Sequence, residues 1–160
     1  MAINTITTSY SFSHMPKAVS IDVFGEAAFK VGGQIEVSLI RIVAGAHKGD
    51  FGVAFQGNVL YGIEASYTGS ASVYWPLNGE DLSLDHLRGF ECGLQGSVFG
   101  AAGSYFEGFD FTSSYPFYES TYGGVSLGGS FGIPELGGSG SGYIGASDYI
   151  YMSEKKSEKK

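Results

Sequence analysis

The chain is poor in the residues that staple or break folds. It has one cysteine, Cys92, so no internal disulfide forms, and four prolines in 160 residues. Charged residues make up 16% of it, against about 25% in ordinary globular proteins. No apolar run approaches the roughly 18 residues of a membrane-spanning helix, so no transmembrane helix is expected. A coiled coil, a helical bundle and a disulfide scaffold are excluded on the same grounds. Basic charge is scarcer still. Four of the nine Lys and Arg lie in the terminal Ser153–Lys160 stretch, which leaves a body of five bases and fourteen acids. Nucleic acid is therefore not an expected partner, because phosphate binding needs clustered Lys and Arg.

Glycine and aromatics are abundant: 26 glycines, 11 Tyr and 12 Phe. An apolar content of 43% is too high for disorder and suits one domain over residues 1–152. The doubled Ser-Glu-Lys-Lys unit at 153–160 reads as a disordered, low-complexity tail, possible as an expression extension. The N-terminus lacks the basic start and apolar core of a signal peptide, so the expected location is cytoplasmic if the sequence begins natively.

The dominant period is two. Val19, Ile21, Val23, Ala27 and Phe29 alternate with Ser20, Asp22 and Glu26, which predicts a half-buried strand with one wet face. Phe51 to Ile63 repeats the pattern, with Gln56, Asn58 and Glu64 on the other face. Gln34 to Val43 begins likewise, then breaks phase at Ile40-Arg41-Ile42, where a bulge or strand end is expected. Further strands are expected at Ile3–Phe12, Ser70–Trp75, Phe90–Gly100, Tyr105–Thr112, Phe117–Phe131 and Gly138–Tyr151. Turns are expected at Gly32-Gly33, His47–Asp50, Thr68-Gly69, Ser113–Pro116 and Ile133–Glu135. Asn78–Gly89 has the acidic start and glycine stop of a short helix near residues 80–88. Glycine inside strands permits the bends of a small closed barrel, and closure removes exposed edges. The fold class is all-β: a closed antiparallel barrel of about eight strands with one short helix.

Chemistry is sparse. His14, His47 and His86 lie apart and form no metal spacing; no metal and no cofactor are implied. Gly124-Val125-Ser126-Leu127-Gly128 and Gly128-Gly129-Ser130-Phe131-Gly132 match the nucleophile-elbow pattern, but no helix follows either. Strand bending explains these glycines, so no catalytic residue is assigned. Glu80 and Asp81 belong at a helix start, and Asp22 and Glu26 on a solvated face. Cys92 shares a face with Phe90 and Leu94 and reads as a buried small hydrophobe. Arg41 follows Ile35, Val37 and Leu39 on their face, at a rim or beside an acidic ligand. The candidate ligand-binding residues are Tyr74, Trp75, Tyr115, Tyr118, Tyr122 and Arg41, an aromatic-rich set suited to an apolar or sugar ligand, or simply to filling the barrel.

Glu80-Asp81-Leu82 running into Leu87, then Phe117–Ser126 and Gly137-Gly138-Ser139-Gly140-Ser141-Gly142, resembles the virulence-associated proteins (Vap proteins) of pathogenic Rhodococcus. Gly49–Gly57 is similar in character, and the resemblance covers roughly residues 20 to 145. It implies a compact eight-stranded barrel with a short helix. It also implies a secreted, non-enzymatic monomer acting by surface binding to a host component, lipid or membrane. The missing signal peptide and Cys92 depart from that pattern. The competing reading is an intracellular barrel enclosing a small apolar ligand, as a carrier or as a cyclase acting by shape. An outer-membrane barrel and a lectin are further readings. Alternation alone does not say which face of the strands points inward, and the absent export signal weighs against the membrane barrel.

Overall fold

The computed structural model describes residues 15–77, 81–110, 121–132 and 139–153. The expected strand at Ile3–Phe12, the turns at Ser113–Pro116 and Ile133–Glu135, and the tail from 154 lie outside these residues. Six strands run in chain order: β1 (Ala18–Ile42), β2 (Phe51–Pro76), β3 (Gly89–Val98), β4 (Ala101–Asp110), β5 (Tyr122–Gly132) and β6 (Ser139–Ser153). All pairings are antiparallel, in the order β1-β2-β5-β4-β3-β6, and β6 returns to β2.

The two long strands explain how this sheet closes. A straight strand of 25 residues, the length of β1, would extend about 80 Å. Instead its ends meet: the Val43 N–H donates to the Lys17 carbonyl at 2.9 Å. The Gln34 amide likewise donates to Glu26 Oε2 at 3.3 Å. The fold-over lies at Lys30, where φ is +68°, and Gly32 packs against the Ala27 carbonyl. β2 follows the bend, pairing through residues 51–63 with β6 and through 66–76 with β5. Counting each half of β1 and β2 as a stave, the ring has eight, as the periodicity predicts. Eight is the number at which side chains just fill a barrel.

Several local expectations are corrected. Gly32-Gly33 and Thr68-Gly69 do not separate strands; β1 and β2 run through both. Of the two alternatives at Ile40-Arg41-Ile42, the strand end is observed, since β1 ends at Ile42, and no bulge interrupts the pairing before it. The alternation continues, with Ile40 and Ile42 buried and Arg41 exposed. The apparent phase break marks a change in the interior, from polar at Gln34 and Ser38 to apolar at Ile40 and Ile42. The register shift lies instead in β6, opposite Val53 and Ala54. The expected helix is a single 3-10 turn, Asp85–Leu87. Residues 78–80 of that span lie outside the described residues.

The larger correction concerns the faces. Asp22 and Glu26, expected on a solvated face, are 2% and 8% exposed inside the barrel. Ile21, Val23 and Phe29 point outward, Phe29 at 78% exposure. Cys92 is half-buried on the outward side with Phe90 and Leu94.

One end of the barrel is capped. Leu82, Leu84 and Leu87, from the segment between β2 and β3, enter the ring and pack with Ile40, Ile42, Tyr74, Phe106 and Tyr122. Asp81 fastens this segment by accepting the Ala46 N–H at 3.0 Å, and Ser147 Oγ donates to the Leu87 carbonyl at 3.1 Å. We expect Gly32→Ala to destabilise the fold by at least about 2 kcal/mol, since its methyl meets unyielding backbone at the bend. Gly33→Ala, whose methyl meets Asn58 O at an ordinary 3.8 Å, should be near neutral. Denaturant titrations followed by Trp75 fluorescence check the pair.

Candidate functional site

Two surfaces carry the chain's unusual chemistry: a polar lumen and an apolar exterior. Both follow from period-two alternation in a closed ring, because every strand sends alternate residues to opposite sides.

The lumen holds Asp22, Glu26 and Glu91, all buried, and half-buried Glu36. Each carboxylate is met by donors from its own stave or from neighbouring ones. Asp22 accepts Ser20 Oγ at 2.6 Å and Ser72 Oγ. Glu26 accepts Ser66 Oγ at 2.6 Å and the Gln95 amide. Glu36 accepts Ser38 Oγ at 2.8 Å. Glu91 accepts Gln56 Nε2 at 3.1 Å, Tyr122 OH at 3.0 Å and Tyr143 OH at 2.9 Å. Asn58 links Gln56 to Gln34, so one chain of hydrogen bonds runs from Glu91 to Glu26. The cavities left over measure about 30 and about 10 Å³, room for single waters.

The exterior is the reverse. Ile35, Val37, Phe55, Leu94, Leu127 and Ile144 are among its exposed side chains, and exposed apolar residues occur on β1, β2, β3, β5 and β6. Aromatics bracket the aliphatic zone. Phe29, Tyr61, Tyr67, Phe99 and Phe131 lie toward the bend end. Phe51, Trp75, Phe90, Phe109 and Tyr151 lie toward the capped end, where the Phe51 and Tyr151 rings meet edge-on at 6.3 Å. Outward charges among the described strand residues are few. Lys30 sits at the bend, Arg41 and Asp148 near the capped end, and Glu107 within the apolar zone.

The structure divides the sequence-predicted ligand residues. Tyr74 and Tyr122 come together inside the capped end, ring centroids 6.0 Å apart, and Tyr74 OH lies 2.9 Å from Ser20 Oγ. Trp75 is half-buried on the other side of its strand, and Arg41 is exposed on the exterior. Tyr115 and Tyr118 lie outside the described residues. Ser126 and Ser130 sit within β5 rather than at a strand-to-helix turn, and Ser126 Oγ lies 2.6 Å from Ser104 Oγ. His47 lies 3.3 Å from Asp50, and His86 contacts Ser83. No metal-holding cluster of three or more His, Cys, Asp or Glu occurs among the described residues.

Sequence reasoning missed the lumen. Glu91, Gln56, Asn58 and Gln95 were legible only as the polar half of each alternation. The available signal was the aromatic bracketing of the apolar half on successive strands. No protein-family model matches the chain, and neither a curated protein nor a solved structure matches it.

Glu91 is the test of the lumen network. Glu91→Ala removes the acceptor of Gln56, Tyr122 and Tyr143 and should destabilise the barrel by about 3 kcal/mol. Glu91→Gln, which keeps an acceptor, should lose less. Urea unfolding of the two variants checks the order.

Proposed function

We propose that this chain works as a bilayer-spanning β-barrel with a filled lumen, its exterior in contact with lipid. The observation that carries the reading is the inverted alternation: carboxylates and amides inside, large aliphatic side chains outside. In water this arrangement is unfavourable twice over, since apolar area stays wet at about 25 cal/mol per Å² and polar groups are desolvated. In a bilayer the first term reverses, and a closed ring pairs its backbone groups between strands rather than leaving an open edge to lipid.

Three further features support the reading. The shorter strands, β3 and β4, have 10 residues each. At the usual tilt such staves rise about 25 Å, the height of the apolar band of membrane barrels. Aromatics mark both ends of the apolar zone, where headgroups would lie. The belt also runs around the ring, on five of the six strands. A protein partner covers one side of a surface, whereas lipid covers all of it.

The Vap resemblance implies a barrel that acts through its surface, and here the membrane is what that surface meets. An enclosed apolar ligand has little support, because the lumen is polar and holds cavities of about 30 Å³ or less. The same filling argues against a conducting channel.

Dilution from urea into phosphatidylcholine vesicles tests the proposal. We expect a protease-resistant, vesicle-bound barrel that produces no conductance steps in a planar bilayer. A chain that folds as a soluble monomer without lipid or detergent overturns the reading. Depth gives a second check. Leu127→Arg, mid-stave, should cost about 2–4 kcal/mol in vesicles, and Tyr67→Arg, near the bend end, about 0–1. A soluble barrel would tolerate both.

A further inference from the structure

Three lumen acids share one small space. Asp22 and Glu36, from the two halves of β1, and Glu91, from β3, line a single cavity of about 30 Å³. Every hydrogen-bond donor to these three is neutral. Asp22 accepts the hydroxyls of Ser20, Ser70 and Ser72, and Glu36 that of Ser38. Glu91 accepts the Gln56 amide and the hydroxyls of Tyr122 and Tyr143.

The other strands bring no counter-charge. The titratable groups that face the cavity from β2, β5 and β6 are phenols: Tyr74, Tyr122 and Tyr143. β4 contributes Ser104 and Phe106, and the capping segment contributes Leu87, none of which titrates. Glu26, a further acid of β1, faces the adjoining cavity of about 10 Å³. Among the described residues no Lys, Arg or His lines either cavity.

Hydroxyls and amides ease the burial of an anion without cancelling its charge. Like charges that share an enclosed, low-dielectric site do not all ionise. In the unfolded chain the same carboxyls stand in water and are ionised above about pH 6.

We propose that closing the barrel takes up at least one proton from solvent into the cluster of Asp22, Glu36 and Glu91, which makes the lumen a pH-sensitive latch. Mild acid holds the ring shut and alkali loosens it. A folded state that binds more protons than the unfolded one loses stability as pH rises, and each proton lowers the folding constant by up to about tenfold per pH unit. The latch couples assembly of the barrel to the acidity of the medium in which it folds. It rests on the closed lumen and is independent of what the exterior meets.

The full chain, folded in dodecyl maltoside micelles, is unfolded with urea at pH 6, 7 and 8 and followed by Trp75 fluorescence. We expect the folding constant to fall at least about tenfold from pH 6 to pH 8. Exposed carboxylates stay ionised over that range and add no slope. Histidines change charge in it, so the series is repeated in His47→Gln, whose parent side chain lies 3.3 Å from Asp50, and the slope should persist. Glu36→Gln keeps an acceptor for Ser38 and removes one acid, which relieves the other two, so its slope should be shallower than the parent's. Infrared spectra need no variant. At pH 7 the folded parent should show the carbonyl band of an un-ionised carboxylic acid, and the unfolded chain should not. Stability that is flat or rises from pH 6 to pH 8, the parent slope kept in full by Glu36→Gln, or a folded chain without that band overturns the latch. A chain that folds in buffer without detergent overturns the membrane reading alone, and the same series is then run in buffer.

Discussion

The structure depends on one constraint: the carboxylates sent into the closed ring must find their partners there. The lumen carries four carboxylates, Asp22, Glu26, Glu36 and Glu91, and no Lys or Arg among the described strand residues shares it. Their donors are neutral hydroxyls and amides. Burial pushes Glu36 up to about 8 and raises Glu91 as well, holding both toward the protonated form, and leaving a buried acid unmet in a low-dielectric interior costs more than its hydrogen bonds contribute. The network therefore fixes register as well as stability. Sliding one stave by a residue would turn its Gln or Glu outward and an Ile or Val inward.

The same constraint shapes the small residues. Serine is frequent on the inner face, at 20, 38, 66, 70, 72, 141 and 147, all buried. A hydroxyl on a short stem reaches a neighbouring carboxylate while leaving width for Gln, Glu and Tyr across the ring. Where a ring must lie flat against the wall, even serine is too large. Gly108 sits beneath the Tyr122 ring and Gly124 beneath Phe106, and any side chain there would occupy the ring's own space. The glycine-rich composition is thus partly a packing requirement of a narrow barrel filled with large side chains. Toward the capped end the lumen changes character, and Leu82, Leu84 and Leu87 complete an apolar plug with no need of hydrogen bonds.

The sensitivity of the fold to Gly32 and Glu91 bears on what the sequence discloses. Period two is a property of single strands, so the all-β class and the approximate stave number were legible in Val19–Phe29 and Phe51–Ile63. Which face turns inward is a property of the solvent around the closed ring, and Asp22 alternating with Ile21 and Val23 reads identically either way. A mean hydropathy of +0.05 is equally neutral on the point. The break at Ile40-Arg41-Ile42 marks the strand end at Ile42 but not a bulge, for a related reason. It marked the boundary between the polar lumen and the plug, a change along the barrel axis that a strand-by-strand reading takes for a change of face. The fold-over of β1 was signalled by Gly32-Gly33, but not that the strand runs on through it, because the bend preserves alternation on both sides and Lys30, a non-glycine residue, carries the left-handed backbone angle. The ligand candidates split for the simplest reason: Tyr74 and Trp75 are adjacent, and adjacent strand residues face opposite ways.

The division of labour between the two surfaces then follows from packing. A lumen with its acids hydrogen-bonded, its cavities near the size of one water and one end plugged leaves little room for a substrate. Its polarity serves to hold the ring in one register. The exterior has the opposite character, with large side chains exposed, little charge and few internal partners. Along that exterior wall Glu107 departs from the local rule most sharply, since every other outward charge on the described strand residues lies near an end.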